Sequence, residues 1–309
     1  MPLNWPGMST PLVSVVLPVY NRAATVARAV ESVLAQSFRD FELIVVDDGS
    51  TDGSRAAVEA FGPQVRLFVQ PNAGPYAARN TALRHARGEL IAFIDSDDAW
   101  RPHFLASLVA LLTRKPEAGL VFGDARVVTP AGPGSMTMFK VSPPSRGHVA
   151  ADLTRWNFVP TITALVRRRC LEEIGGFAEA PLAADYLAWF RIALHHELDF
   201  VDDVVADYTV HPGGISAQLG RSLATRIELF SHELKQTSDP ATRSLLRRIL
   251  FNCSVSLALA ALRGRAAGVR GALPLAFTTA WKHAGIAAAS WATTFALNQV
   301  RMRSRRVFA

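Results

Sequence analysis

The sequence predicts an α/β protein with a mostly parallel, doubly wound sheet, and three observations lead there. Apolar runs of strand length recur through the first half, at residues 13–19, 43–46, 65–69 and 90–94. Each run is continuous rather than alternating, which suits strands covered on both faces. Helical patterns separate the runs, and strand and helix in alternation build parallel sheets. Functional residues of such a sheet gather beyond the carboxyl ends of its strands.

The elements follow in order. After the first strand, Val26, Val30, Val33 and Leu34 recur at i, i+4, i+7 and i+8, the spacing of one helix face. Residues 76–86, rich in Ala and Leu, read as a helix before the strand at 90–94. Residues 129–144 (TPAGPGSMTMFKVSPP) lack periodicity and read as a loop or flexible lid. Regular signals resume with a strand at 161–166, a helix at 184–195 and a strand at 206–210. Beyond Gly220 the chain reads as helix, with breaks near 238–240 and 264–274. The expected division is residues 1–219 as the sheet domain and 220–309 as a helical C-terminal extension.

With 309 residues, half of them hydrophobic, the chain can bury a large core, which excludes a disordered or fibrous protein. Two cysteines, Cys170 and Cys253, make no disulfide framework. Residues 1–10 lack the apolar stretch of a secretory signal, so the expected location is the cytoplasm. The net charge of +7 is uneven: 14 of 33 basic residues but three of 26 acidic ones follow Gly220. That basic end carries no interleaved aromatics, so nucleic acid is not an expected partner. The apolar piece at 285–297 is too short to span a bilayer, for which about 20 residues are needed. With Arg301, Arg303, Arg305 and Arg306 it suits an interfacial helix on an anionic membrane surface, at the inner face of the cell membrane. A solvated basic end packed on the sheet fits the same pattern equally well.

Two strands run into carboxylates. The run at 43–46 ends in Asp47 and Asp48, then Gly49, Ser50, Thr51, Asp52, Gly53 and Ser54. Ser50 or Asp52 can cap the following helix, but adjacent carboxylates at a buried strand end are costly unless they hold a ligand or accept backbone hydrogen bonds. The run at 90–94 ends in Asp95, Ser96, Asp97 and Asp98. Strand alternation would put Asp95 and Asp97 on one face, roughly 6.5–7 Å apart, where they could grip a hard divalent cation with a phosphate oxygen. Asp98 could instead cap the next helix.

Four segments, VSVVLPVYN (13–21), DDGSTDGS (47–54), NAGPYAARN (72–80) and FIDSDDAW (93–100), resemble in order and spacing the family 2 glycosyltransferases of GT-A fold. The resemblance covers roughly residues 12–213. It implies an inverting, metal-dependent hexosyl transfer from a nucleotide-sugar, by family habit a UDP-sugar, to a hydroxyl of a glycan or lipid-linked saccharide. It assigns Pro18, Tyr20 and Asp48 to the base, Arg79 to the neighbourhood of the diphosphate, Asp95 to the ribose and Asp97 to a Mn²⁺ or Mg²⁺ ion. The inner ligand could be Asp97 or Asp98. In the GGF segment (175–177) and its following acidic motif, Ala184 and Leu187 replace usual acids, while Asp185 aligns with the general base. Asp185 could also be a helix N-terminal acid, and Arg79 a surface arginine. His211, before Pro212, Gly213 and Gly214, resembles the late histidine that approaches metal or diphosphate, against a purely structural reading. A nucleotidyltransferase would want a Gly-rich, basic first turn, where this chain has Tyr20, Asn21 and Arg22. A non-catalytic nucleotide-sugar binder would fit Ala184, but not the retained Asp95, Asp97 and Asp185.

Overall fold

The structure is a computed structural model, and it describes residues 10–211 and 218–262. The elements are β1 (Val13–Val19), α1 (Val26–Leu34), β2 (Phe41–Asp47), α2 (Ser54–Glu59), β3 (Arg66–Val69), α3 (Pro75–His85), β4 (Leu90–Phe93), β5 (Ala99–Trp100), α4 (Phe104–Arg114), β6 (Ala118–Thr129), β7 (Gly132–Thr137), α5 (Met138–Val141), α6 (Ala150–Leu153), β8 (Leu165–Arg167), α7 (Arg168–Glu173), α8 (Ala184–Ala193), β9 (Glu197–Thr209), α9 (Leu219–Gln236) and α10 (Pro240–Leu262).

One nine-stranded sheet runs β3-β2-β1-β4-β8-β6-β9-β5, with β7 paired to β6. The first four strands are parallel, in the order 3-2-1-4. Their carboxyl ends lie side by side: Val19 pairs with Asp47, and Asp47 with Val69. β8 enters antiparallel to both β4 and β6, while β6 and β9 are parallel. Pro18, which lacks a ladder donor, stands beyond the last β1–β4 pair, Val16 with Phe93, so its missing N–H costs nothing on that side.

Continuous apolarity has the expected cause. Alternate residues of each strand enter two separate cores, one per face. Val16, Ile44, Val46, Ile91 and Phe93 pack with α3, α8, α9 and α10. Val15, Leu17, Leu43, Val45 and Ala92 pack with α1, α2 and α4. α10 is long and apolar enough by length and composition to cross a membrane. Its Leu246, Ile249, Leu250 and Leu257, however, are wholly buried in the same core as the sheet.

Three expectations change. Residues 129–144 are not a loop: β6 continues to Thr129, and residues 132–137 return as β7, so a hairpin at the edge supplies the backbone pairing that apolar periodicity could not reveal. Residues 161–163 form a 3₁₀ turn and the strand starts only at Leu165. The strand expected at 206–210 is the end of the 13-residue β9. The break expected near 264–274 and the interfacial helix and basic tail expected at 285–306 lie outside the described residues.

At the amino end of the sheet, buried Ser14 donates to Glu42 Oε1 at 2.7 Å. Glu42 also accepts from Arg87 N at 2.8 Å and pairs with Arg66 and Arg87. Burial raises the Glu42 pKa, but these bonds outweigh it and hold the carboxyl below its ordinary value of 4.5. A depressed folded-state pKa stabilises above the unfolded value and is lost as pH falls through the folded one. Glu42→Gln should therefore cost about 2 kcal/mol at pH 7 in urea denaturation, with the gap to wild type closing progressively below pH 4.5.

Candidate active site

The carboxyl ends of β1 and β2 are stitched together by short polar side chains. Asn21, at φ 49°, accepts from Thr51 N at 2.8 Å, and its own N–H donates to Ser50 Oγ at 3.1 Å. Arg22 N donates to Ser54 Oγ at 2.6 Å. Asp52 accepts from Ala23 N and Ser54 N, so it serves as a turn acceptor. Gly49 turns at φ +76°, and a Cβ there would meet Asn72 N at 2.9 Å, so the loop before α3 closes down only over glycine. Asp47 accepts from Ser50 N at 2.9 Å.

Asp48 is buried and spends both oxygens on the entry to α3. Gln70 Nε2 and Ala73 N donate to Oδ1 at 2.7 and 2.9 Å, and Gly74 N donates to Oδ2 at 2.8 Å. Pro75 then opens the helix, where its missing N–H is harmless. Tyr20, at the end of β1, is 46% exposed, and Val69, at the end of β3, is 51% exposed.

From α3 three side chains reach three other parts of the chain. Tyr76 Oη donates to Asp185 Oδ1 at 2.8 Å. Arg79 pairs with Asp95 and lies 5.0 Å from the centroid of the Tyr76 ring. Asn80 exchanges two hydrogen bonds with the backbone of Phe177, at 2.8 and 2.9 Å. Arg79 is thus a buried ion-pair partner, not a surface arginine. Desolvation, then the charge of Asp185, pushes the Tyr76 phenol well above 10.0, so it is held as a donor.

Asp185 sits in the first turn of α8, behind Ala183 in the left-handed region at φ 60°. Its second oxygen accepts from Thr161 Oγ1 at 2.9 Å and from Asn157 Nδ2 at 3.3 Å. Three donors from two other segments therefore fix the carboxylate.

Residues 95–98 are a turn, not strand, because β4 ends at Phe93 and Asp98 N bonds back to Asp95 O at 3.1 Å. The expected same-face strand geometry of Asp95 and Asp97 does not apply. Asp97 Oδ2 lies 2.8 Å from His211 Nε2 and 3.3 Å from Arg22 Nε. Asp98 points inward, accepting from Thr209 N at 2.7 Å, rather than capping a helix. Burial, then the charges of Asp95 and Asp97, pushes Asp98 well above its ordinary value. Burial also raises Asp95, with Asp97 and Asp185 adding to the shift against the pull of Arg79.

The cluster fits a hard divalent cation. Asp98 Oδ2, an acceptor, is buried without a hydrogen-bond partner. The 2.8 Å between Asp97 Oδ2 and His211 Nε2 is near the ~3 Å ligand separation of an octahedron with bonds of about 2.1 Å. Carboxylate and imidazole are donors Mn²⁺ accepts.

The sequence named Asp95, Asp97, Asp185 and His211, and the structure adds the side chains that hold this cluster, Tyr76, Asn157, Thr161 and Asn80. Tyr76 and Asn80 lay inside a recognised motif; Asn157 and Thr161 carried no signal, because their partner is 24 to 28 residues away.

The profile described as "Glycosyl transferase family 2" matches residues 14–175. The uncharacterized glycosyltransferase alr2836 of Nostoc sp. is 33% identical over 262 residues, 79% of each chain. Among solved structures, residues 1–349 of TarS from S. aureus superpose with TM-score 0.64 at 20% identity, covering 96% of this chain and 88% of that one. The mannosyltransferase PcManGT from Pyrobaculum calidifontis, in complex with GDP-Man and Mn²⁺, gives 0.58 at 25% identity, covering 97% and 88%. The fold is GT-A, as the motifs implied.

Removing Arg79 leaves Asp95 facing Asp97 and Asp185 with no buried cation beside it. Arg79→Ala should destabilise the protein by about 3 kcal/mol in chemical denaturation; a change within 0.5 kcal/mol would mean the pair contributes nothing net.

Proposed function

The chain belongs to glycosyltransferase family 2, and on that premise we propose that it is an inverting hexosyltransferase using a nucleotide-sugar donor, a divalent cation and Asp185 as general base. One observation carries the reading. Helix α3 holds Asp185 through Tyr76 and Asp95 through Arg79, so a base and a nucleotide-side acid are fixed by one rigid element, three residues apart.

In this reading Tyr20 offers an aromatic face to the base beside Pro18 and Asp48, with Asp48 shaping the floor through the α3 entry. Asp95, oriented by Arg79, faces the ribose. Asp97 and His211 would hold Mn²⁺ or Mg²⁺, which supplies charge neutralisation to the departing diphosphate; PcManGT carries Mn²⁺ with its donor. The acceptor hydroxyl gives its proton to Asp185 as its oxygen bonds to the anomeric carbon, while the bond from that carbon to the diphosphate oxygen breaks. The Tyr76, Thr161 and Asn157 bonds keep the carboxylate aimed throughout. Displacement from the face opposite the leaving group inverts the configuration, and no covalent enzyme intermediate is needed.

A UDP-sugar remains the proposed donor, with GDP- and TDP-sugars as the competing arms. The proposed acceptor is a glycan or lipid-linked saccharide, as in polysaccharide or cell-envelope synthesis. The proposed catalytic unit is residues 1–219. Residues 220–309 would keep it peripheral at the inner face of the membrane, because Arg301, Arg303, Arg305 and Arg306 suit anionic headgroups.

Release of nucleoside diphosphate from UDP-, GDP- and TDP-sugars with Mn²⁺ or Mg²⁺ tests the chemistry. One donor should respond, EDTA should abolish release, and Asp97→Ala should do the same. With an acceptor, Asp185→Asn should lower kcat by about 10²–10⁴-fold with donor KM little changed. Silence from every donor, with no metal-dependent nucleotide binding, would favour a non-catalytic binder. Separately, deleting residues 299–309 should abolish co-sedimentation with anionic vesicles; unchanged co-sedimentation removes the tail from the reading.

A further inference from the structure

A second group of metal-ligand side chains lies at the other end of β9 from His211. Cys170 and Glu173 stand three residues apart on α7, on one face of that helix. His196 closes the corner between α8 and β9. The Cys170 Sγ, a Glu173 carboxylate oxygen and a His196 ring nitrogen all lie within 4.8 Å of one another. Among the described residues this is the group whose ligand atoms converge so closely.

The corner is built to admit these side chains. Gly119, at the start of β6, lies beneath them, and a Cβ there would meet His196 Cβ at 2.7 Å and Cys170 Sγ at 3.0 Å. Cys170 is fully buried, the His196 side chain is 18% exposed and that of Glu173 is 50% exposed. The sulfur thus forms the floor, and the carboxylate and imidazole form a rim that an ion can reach from solvent. His196 Nε2 already meets Glu173 Oε2 at 2.5 Å.

We propose that Cys170, Glu173 and His196 form a zinc site, with water as fourth ligand, that ties α7 to the α8–β9 corner. The donor set selects the metal. A thiolate with an imidazole and a carboxylate suits Zn²⁺ in tetrahedral geometry, whereas Mg²⁺ and Mn²⁺ prefer oxygen ligands. Cys170 is a free cysteine, and zinc takes its sulfur as the thiolate. On binding, the S–Zn bond forms as the S–H bond breaks and the thiol proton passes to solvent. Bonds of about 2.0–2.3 Å require donor atoms some 3.3–3.7 Å apart, so the imidazole–carboxylate pair opens from 2.5 Å, which rotation of the exposed Glu173 side chain can supply, while the sulfur starts within 4.8 Å of both. The site is distinct from the Asp97–His211 pair, at the opposite end of a 13-residue strand.

Co²⁺ separates the two sites, because only a thiolate ligand gives a near-ultraviolet sulfur-to-cobalt charge-transfer band. The full chain, stripped with EDTA and dialysed, should develop that band on titration with Co²⁺, saturating at one equivalent per chain. One equivalent of Zn²⁺ should bleach it. The band should disappear in Cys170→Ser, weaken at least tenfold in apparent affinity in His196→Gln, and persist in Asp97→Ala and in Cys253→Ser. Absence of the band in the wild type, or its survival in Cys170→Ser, overturns the proposal. If Cys170→Ser does not fold, His196→Gln decides: an unchanged cobalt affinity overturns the site, and a tenfold loss upholds it.

Discussion

The buried carboxylate of Asp48 accepts the backbone N–H groups of Ala73 and Gly74 just ahead of α3, and this sets where that helix starts and which way it faces. Those two N–H groups belong to the residues that lead into Pro75, so the carboxylate fixes the chain where it enters the helix, with its charge near the positive end of the helix dipole. The consequences extend well beyond the turn. Tyr76, Arg79 and Asn80 share the register that Asp48 imposes, and they hold Asp185, Asp95 and the Phe177 backbone respectively. Acid groups from distant parts of the chain are thus referred to one 11-residue helix. A slip of α3 by one residue would turn its side chains by about 100° and disconnect all three.

The same geometry concentrates negative charge. Asp95, Asp97 and Asp98 crowd one turn, with Asp185 close enough to raise Asp95. Arg79 answers Asp95 and Arg22 answers Asp97, while Arg28 donates to the Asp97 carbonyl at 2.6 Å. These cations do not bring Asp95 and Asp98 back to ordinary acidity. A nucleoside diphosphate would be repelled from such a turn unless a cation joined it, because bound ions invert the local charge logic. In the proposed function the acid cluster is half of a site whose other half arrives with the substrate.

Much of the architecture was legible in the sequence because it rests on local rules. Unbroken apolar runs mean burial on both faces, and β1, β2 and β4 appear where those runs stand, alternate residues feeding two cores. Acids stand directly after two buried strands in the sequence, and the structure places Asp48, Asp95 and Asp97 just beyond the carboxyl ends of β2 and β4. Residues 129–144 failed because a hairpin strand at a sheet edge carries little apolar signal; its Gly, Pro and Ser residues look like a loop until β6 is beside them.

The amino-acid sequence by itself determined the strands, the motif order and the carboxylates at the strand ends, since each depends on residues adjacent in the chain. Only the tertiary structure decided how those carboxylates are held. Tyr76 meets Asp185 across 109 residues of chain, His211 meets Asp97 across 114, and the turn at 95–98 redirects side chains that strand alternation would have aligned. Such pairings carry no periodicity, because a hydrogen bond between distant segments is set by the packing of the helices and strands that bear them, and that packing exists only in the folded chain.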